Sequence, residues 1–76
     1  MSISPEQIKV ARELLGWTRA ELAKRVRLSP GTIGSIETGK SRTSDQTLLA
    51  LKKALEDGGV EITPWSARLR DKDAGP

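Results

Sequence analysis

Between Trp17 and Thr43 the chain carries six basic side chains, Arg19, Lys24, Arg25, Arg27, Lys40 and Arg42, against two acidic ones, Glu21 and Glu37. Over all 76 residues the balance is closer, 13 Lys and Arg to 10 Asp and Glu. Positive charge is therefore concentrated in the middle, and the chemistry open to it is non-covalent pairing with a polyanion. Charge alone would favour a solvated surface face. Covalent chemistry has few bearers. The absence of Cys and His removes thiol chemistry, Cys/His metal sites and a His general base together. The remaining acids have no phosphate-binding loop and no paired-carboxylate setting. The expectation is a binding module, not an enzyme, with no catalytic residue, metal or cofactor.

Short helices must position these side chains. Ser4-Pro5-Glu6-Gln7 offers an N-cap, a Pro at the first helical position and a Gln where a capping box needs one. Ile8, Ala11 and Leu15 then share a face with Val10 and Leu14 beside it, and Gly16 supplies a left-handed stop, so a first helix is predicted over about 5–15. Thr18-Arg19-Ala20-Glu21 is a second capping box, opening a helix over about 19–26 with Leu22, Ala23 and Val26 inward. Ser29-Pro30 opens a third, with Ile33 and Ile36 inward and Gly39 ending it. Ser44 caps a fourth through about Asp57, where Leu48, Leu51 and Leu55 line one face with Leu49 beside them, and Gly58-Gly59 stop it. Ile3 with Ile8, Trp17 with Leu22 and Leu28 with Ile33 straddle three of the N-caps as hydrophobic staples. Helices this short depend on packing for their stability.

After the glycine pair the pattern alternates. Val60-Glu61-Ile62-Thr63 and Ala67-Arg68-Leu69-Arg70 read as strands about a Pro64-Trp65-Ser66 turn. The organisation predicted is one helical domain over 1–59, a hairpin extension over 60–70 and a flexible tail over 71–76. Trp17 reads as a staple and core residue, and Trp65 as a packing lid or a dimer contact. No apolar run reaches membrane-spanning length, and Met1-Ser2-Ile3-Ser4-Pro5 lacks the regions of a signal peptide, which makes the cytoplasm the expected compartment.

The segment from Thr18 to Glu37 joins two helices by a three-residue link. Small Ala23 allows their close approach, and Leu22, Val26, Leu28, Ile33 and Ile36 are spaced to close a shared core. The start of the third helix then projects outward, as entry into a major groove requires. This sequence resembles the Cro/phage-repressor (XRE-like) helix-turn-helix family over about residues 4–57. The matching residues are Arg12 through Gly16, Glu21-Leu22-Ala23, Ser29, Ile33, Ile36-Glu37, Gly39-Lys40 and Thr47-Leu48. The resemblance implies a mainly α fold, a compact four-helix repressor-type domain with, in this chain, a C-terminal β-hairpin. It implies a transcriptional regulator, a repressor, that binds double-stranded DNA as a homodimer and is nucleoid-associated when bound.

By the same resemblance, Thr18 and Arg19 at the start of the second helix and Thr38, Lys40, Ser41, Arg42 and Thr43 after the third should touch the DNA backbone. Helix N-termini, cations and hydroxyls suit phosphate oxygens. Ser29, Pro30, Gly31, Thr32 and Ser35 complete the expected DNA contacts, with Pro30, Gly31, Thr32 and Ser35 at the outward front of the third helix. The family further implies that Arg12 and Glu37 pair to brace the recognition helix; unpaired, Glu37 would repel phosphates. Two departures stand out. Arg27 occupies a turn position where the family usually has Gly, because the residue tends to take a positive φ. The third helix also offers Pro30, Gly31, Thr32, Gly34 and Ser35 where long polar side chains are usual. Each interior Gly costs about 1 kcal/mol relative to Ala, and short side chains cannot make the bidentate base contacts that dominate direct readout. Gly31 and Gly34 would then serve close backbone approach to DNA. That sparse front keeps a second reading open, a helix-turn-helix module that engages a regulatory protein partner such as a toxin, an activator or RNA polymerase. The hairpin edge is the element expected to pair two copies.

Overall fold

Each helix begins at a hydroxyl. In the computed structural model, which describes residues 3–70, Ser4, Thr18, Ser29 and Ser44 sit in extended backbone and accept from the N–H groups of Gln7, Glu21, Thr32 and Thr47. They start α1 (Pro5–Leu14), α2 (Arg19–Val26), α3 (Pro30–Glu37) and α4 (Asp45–Asp57), which are followed by β1 (Val60–Ile62) and β2 (Ala67–Leu69). The expectations for Met1, Ser2 and the tail over 71–76 lie outside the described residues. Both predicted capping boxes form, with the Gln7 and Glu21 side chains returning to the N–H groups of Ser4 and Thr18. The Thr18 N–H holds the Glu21 carboxyl below its ordinary range, so this cap weakens as pH falls through the lowered value.

The helices bury their predicted stripes in one core of Ile3, Ile8, Ala11, Leu22, Ala23, Ile33, Ile36, Leu51, Leu55 and Val60. Leu15, Trp17, Val26, Leu28 and Leu48 pack partly buried around it. Leu14 and Leu49, placed beside the stripes by sequence, are exposed instead; each stands at the rim of a helix whose buried face is narrow. The core contains no Phe or Tyr, the chain having none, so small aliphatic side chains set the spacing between helices. Among the described residues no helix is long and apolar enough to cross a membrane.

The hairpin is antiparallel with Val60 opposite Leu69, Glu61 opposite Arg68 and Ile62 opposite Ala67. Val60 is fully buried in the helical core, and both strands pack on α1. Gln7 clamps the turn: its Nε2 donates to the Thr63 carbonyl at 2.6 Å and to the Ser66 carbonyl at 3.1 Å. Trp65 is not a lid. It stands 89% exposed at the hairpin tip, at the rim of an open cleft that it shares with Ser4, Gln7 and Lys52, so it covers no part of the core.

Gly58 ends α4 in ordinary right-handed backbone (φ −76°), so its lack of a side chain serves space and not conformation. A Cβ there would lie 2.6 Å from the Trp17 ring and 2.9 Å from Leu15. Arg27, by contrast, is left-handed at φ 60° and ψ 41°, the conformation that favours glycine. An L side chain there costs about 1–2 kcal/mol, partly offset because glycine has more freedom to lose on folding. Arg27→Gly is expected to raise the unfolding free energy by about 0.5–1 kcal/mol, read as a higher urea midpoint at constant m-value. An unchanged or lower midpoint would show that the arginine side chain itself holds the turn.

Candidate nucleic-acid interface

A buried carboxylate fixes α3. Glu37, at the last turn of α3, has a side chain with no exposed surface. Arg12 from α1 donates to it twice, Nε to Oε2 at 2.6 Å and Nη2 to Oε1 at 3.2 Å. The third arm of Arg12, Nη1, donates to the Trp17 carbonyl at 2.8 Å, tying in the link between α1 and α2. Hydrogen bonding to Glu37, opposed in part by burial, raises the Arg12 pKa above its ordinary value, so the guanidinium stays charged. The pairing implied by resemblance is thus formed. Arg19 adds a second cation: its Nε donates to Glu37 Oε1 at 3.2 Å while its side chain stays 46% exposed.

With its inner face on Ile33 and Ile36, α3 presents Pro30, Gly31 and Thr32 as exposed residues and Ser35 as half-buried. The front is as short-chained as the sequence promised. Ser29 and Thr32 share a hydroxyl hydrogen bond of 2.8 Å, and the Thr38 hydroxyl donates to the Gly34 carbonyl at 3.0 Å. Much of the hydroxyl capacity here is spent on shaping the helix ends. The two expected phosphate-binding groups lie on opposite flanks of α3. Arg19, next to the Thr18 cap, meets the flank of Gly34 and Glu37. Ser41, Arg42 and Thr43 line a shallow groove with Leu28, Thr32 and Ile36 on the other. Lys40 is exposed at the loop's start, its N–H donating to the Ser35 carbonyl at 2.9 Å.

Trp17 has the packing role expected of it, with the Arg25 guanidinium 4.0 Å over its ring centroid. That stacking removes Arg25 from the simple inventory of free cations. In the sequence, Gln7 shows only a capping role. Its second function, gripping a turn 56 residues away, had no local signal beyond an amide with one donor group left over.

The brace predicts its own energetics. Removing one partner of a buried pair costs about 3–5 kcal/mol, because the other is left uncompensated. Glu37→Ala should therefore lower both stability and any duplex affinity, although it removes negative charge from beside the expected phosphates. In a cycle of Arg12→Ala and Glu37→Ala followed by chemical unfolding, the coupling energy is expected to exceed about 1 kcal/mol. A value within about 0.3–0.5 kcal/mol of zero would mean that the two charges act independently.

Comparison with known proteins agrees with this geometry. The sequence model of a family described as helix-turn-helix matches residues 8–56, a span running from α1 almost to the end of α4. Among curated proteins, the chain is 35% identical over 57 residues to Antitoxin HipB of Escherichia coli O6:H1, covering 70% of this chain and 61% of that protein. The chain thus spans about six-tenths of that relative's length. With the helix punctuation, the left-handed turn and the Arg12–Glu37 brace in place, the chain belongs to the Cro/phage-repressor (XRE-like) family of helix-turn-helix DNA-binding domains.

Proposed function

We propose that this chain is a sequence-specific transcriptional regulator, a repressor, that docks α3 in the major groove of duplex DNA as a homodimer. The observation that carries this reading is the framing of α3. One flank holds Arg19, with Glu37 neutralised there by Arg12 and Arg19, and the other holds Ser41, Arg42 and Thr43. Cations and hydroxyls on both sides of a projecting helix suit the phosphates that border a groove. Pro30 or Thr32 can meet a thymine methyl, and Thr32 and Ser35 can hydrogen-bond to a base or a phosphate. With so short-chained a front, much of the discrimination falls to half-site spacing, about 34–36 Å, and to DNA shape. No chemical step is assigned to the chain.

The sparse front of α3 also favours a second reading, in which the same scaffold engages a protein. The similarity to a protein named as an antitoxin supports it. The two readings differ in salt dependence. Titrated with random-sequence duplex, a phosphate-binding chain loses affinity steeply with salt, and Arg42→Ala should reduce the log–log slope by about 1. No duplex binding at low salt would favour the protein partner. An unchanged slope in Arg42→Ala would mean that the docking face lies elsewhere.

The DNA reading gives dimerisation to the hairpin, where Trp65 at the turn and Leu69 on β2 are large apolar residues left exposed and the two strands leave an open edge. Truncation after Gly59 would remove Val60 from the core, so surface substitutions make the better test. Light scattering should report a dimer for the intact chain and a folded monomer for Trp65→Ser with Leu69→Lys. A chain that remains monomeric at high concentration, with and without DNA, rules out this role.

A further inference from the structure

Gly34 lies inside α3 in ordinary helical backbone, where glycine is less favourable than alanine. Its φ is not positive, so conformation does not require it. The space that its side chain would fill is taken by Arg19. A Cβ built on Gly34 would stand 3.3 Å from Arg19 Nη1, 3.5 Å from Cζ and 3.7 Å from Nε. The guanidinium thus rests against bare helix backbone while its Nε donates to Glu37 Oε1.

Glu37 does not need this second cation. Arg12 already supplies it with two hydrogen bonds and a full positive charge. The three side chains together carry one surplus positive charge, on the half-exposed Arg19. That residue begins α2, where backbone N–H groups of the first turn also favour an anion. A freely rotating arginine loses much rotamer freedom when it binds, whereas one already held loses less.

From this we infer that Gly34 is a positioning residue: with Glu37 it forms a seat that holds Arg19 in advance as a phosphate-binding cation, linking a backbone contact to the orientation of α3. The inference rests on the DNA reading above and deepens it. It gives Gly34 a role different from close approach to DNA. An alanine at 34 presses on the guanidinium and displaces it from Glu37 by a few tenths of an ångström. A leucine fills the seat.

The test compares the intact chain with Gly34→Ala, Gly34→Leu, Arg19→Ala and the two combinations with Arg19→Ala, using random-sequence duplex across a salt series. Gly34→Leu is expected to lower the magnitude of the log–log salt slope by about 1, the share of one phosphate, with Gly34→Ala moving it part of the way. Thermal unfolding should show Gly34→Ala as stable as the parent or more so, which separates loss of binding from loss of fold. On the Arg19→Ala background neither substitution should change slope or affinity further. Equal losses with and without Arg19 would overturn the seat and return Gly34 to close DNA approach. No loss in either background would also overturn it, making the glycine inert. If the parent chain binds no duplex, the DNA reading fails, and the phosphate role of Arg19 fails with it.

Discussion

The arrangement depends on one buried carboxylate. Glu37 draws Arg12 from α1 and Arg19 from α2 onto the end of α3, and Arg12 extends the connection to the Trp17 carbonyl. Three helices of 10, 8 and 8 residues are thereby held in one register. Replacing a buried pair with apolar side chains is often neutral or stabilising, so stability alone does not explain its presence here. Its value lies in direction. Aliphatic side chains can slide over one another, whereas a carboxylate taking hydrogen bonds from two guanidinium groups fixes the rotation of α3 about its axis.

The rest of the fold supports helices too short to persist alone. Hydroxyl caps satisfy N–H groups at each start, and Pro5 and Pro30 preset the first turn of α1 and α3. Close approach is achieved by absence at Ala23, buried between α2 and its neighbours, and at Gly58, where the Trp17 ring fits. Gln7 then fastens the hairpin to α1 by two backbone carbonyls. The hairpin is consequently continuous with the core through Val60 and is held at a fixed attitude to the helices.

Much of this was legible in the sequence, for a physical reason. Caps, staples and apolar stripes are relations between residues three to five apart, so helix starts and ends could be read directly. The hairpin showed itself by alternation around Pro64. The Arg12–Glu37 pair came from family resemblance, since charges 25 residues apart give no local sign of meeting. What escaped the reading were partnerships set by three-dimensional packing. Gln7 looked fully employed as a cap. Gly58 looked like a helix terminator, although its essential property is the room it leaves for Trp17. The position of Arg19 in the sequence points to phosphate and gives no sign of its hold on Glu37. An aromatic residue in a turn suggests cover or a dimer contact, but Trp65 borders an open cleft and covers no part of the core.

Trp17 and Trp65 are the only aromatic side chains in the chain, and they occupy contrasting surroundings. One is packed beneath a guanidinium against the end of α4; the other stands almost wholly in water. Near-ultraviolet emission is therefore expected from two separable sources, a bluer one from the partly buried Trp17 and a redder, more readily quenched one at the hairpin tip. A soluble quencher would extinguish the second while leaving the first, and a molecule settling on the hairpin would shield the second alone. The domain thus carries two built-in optical probes, one for the integrity of its interior and one for the occupancy of its far end.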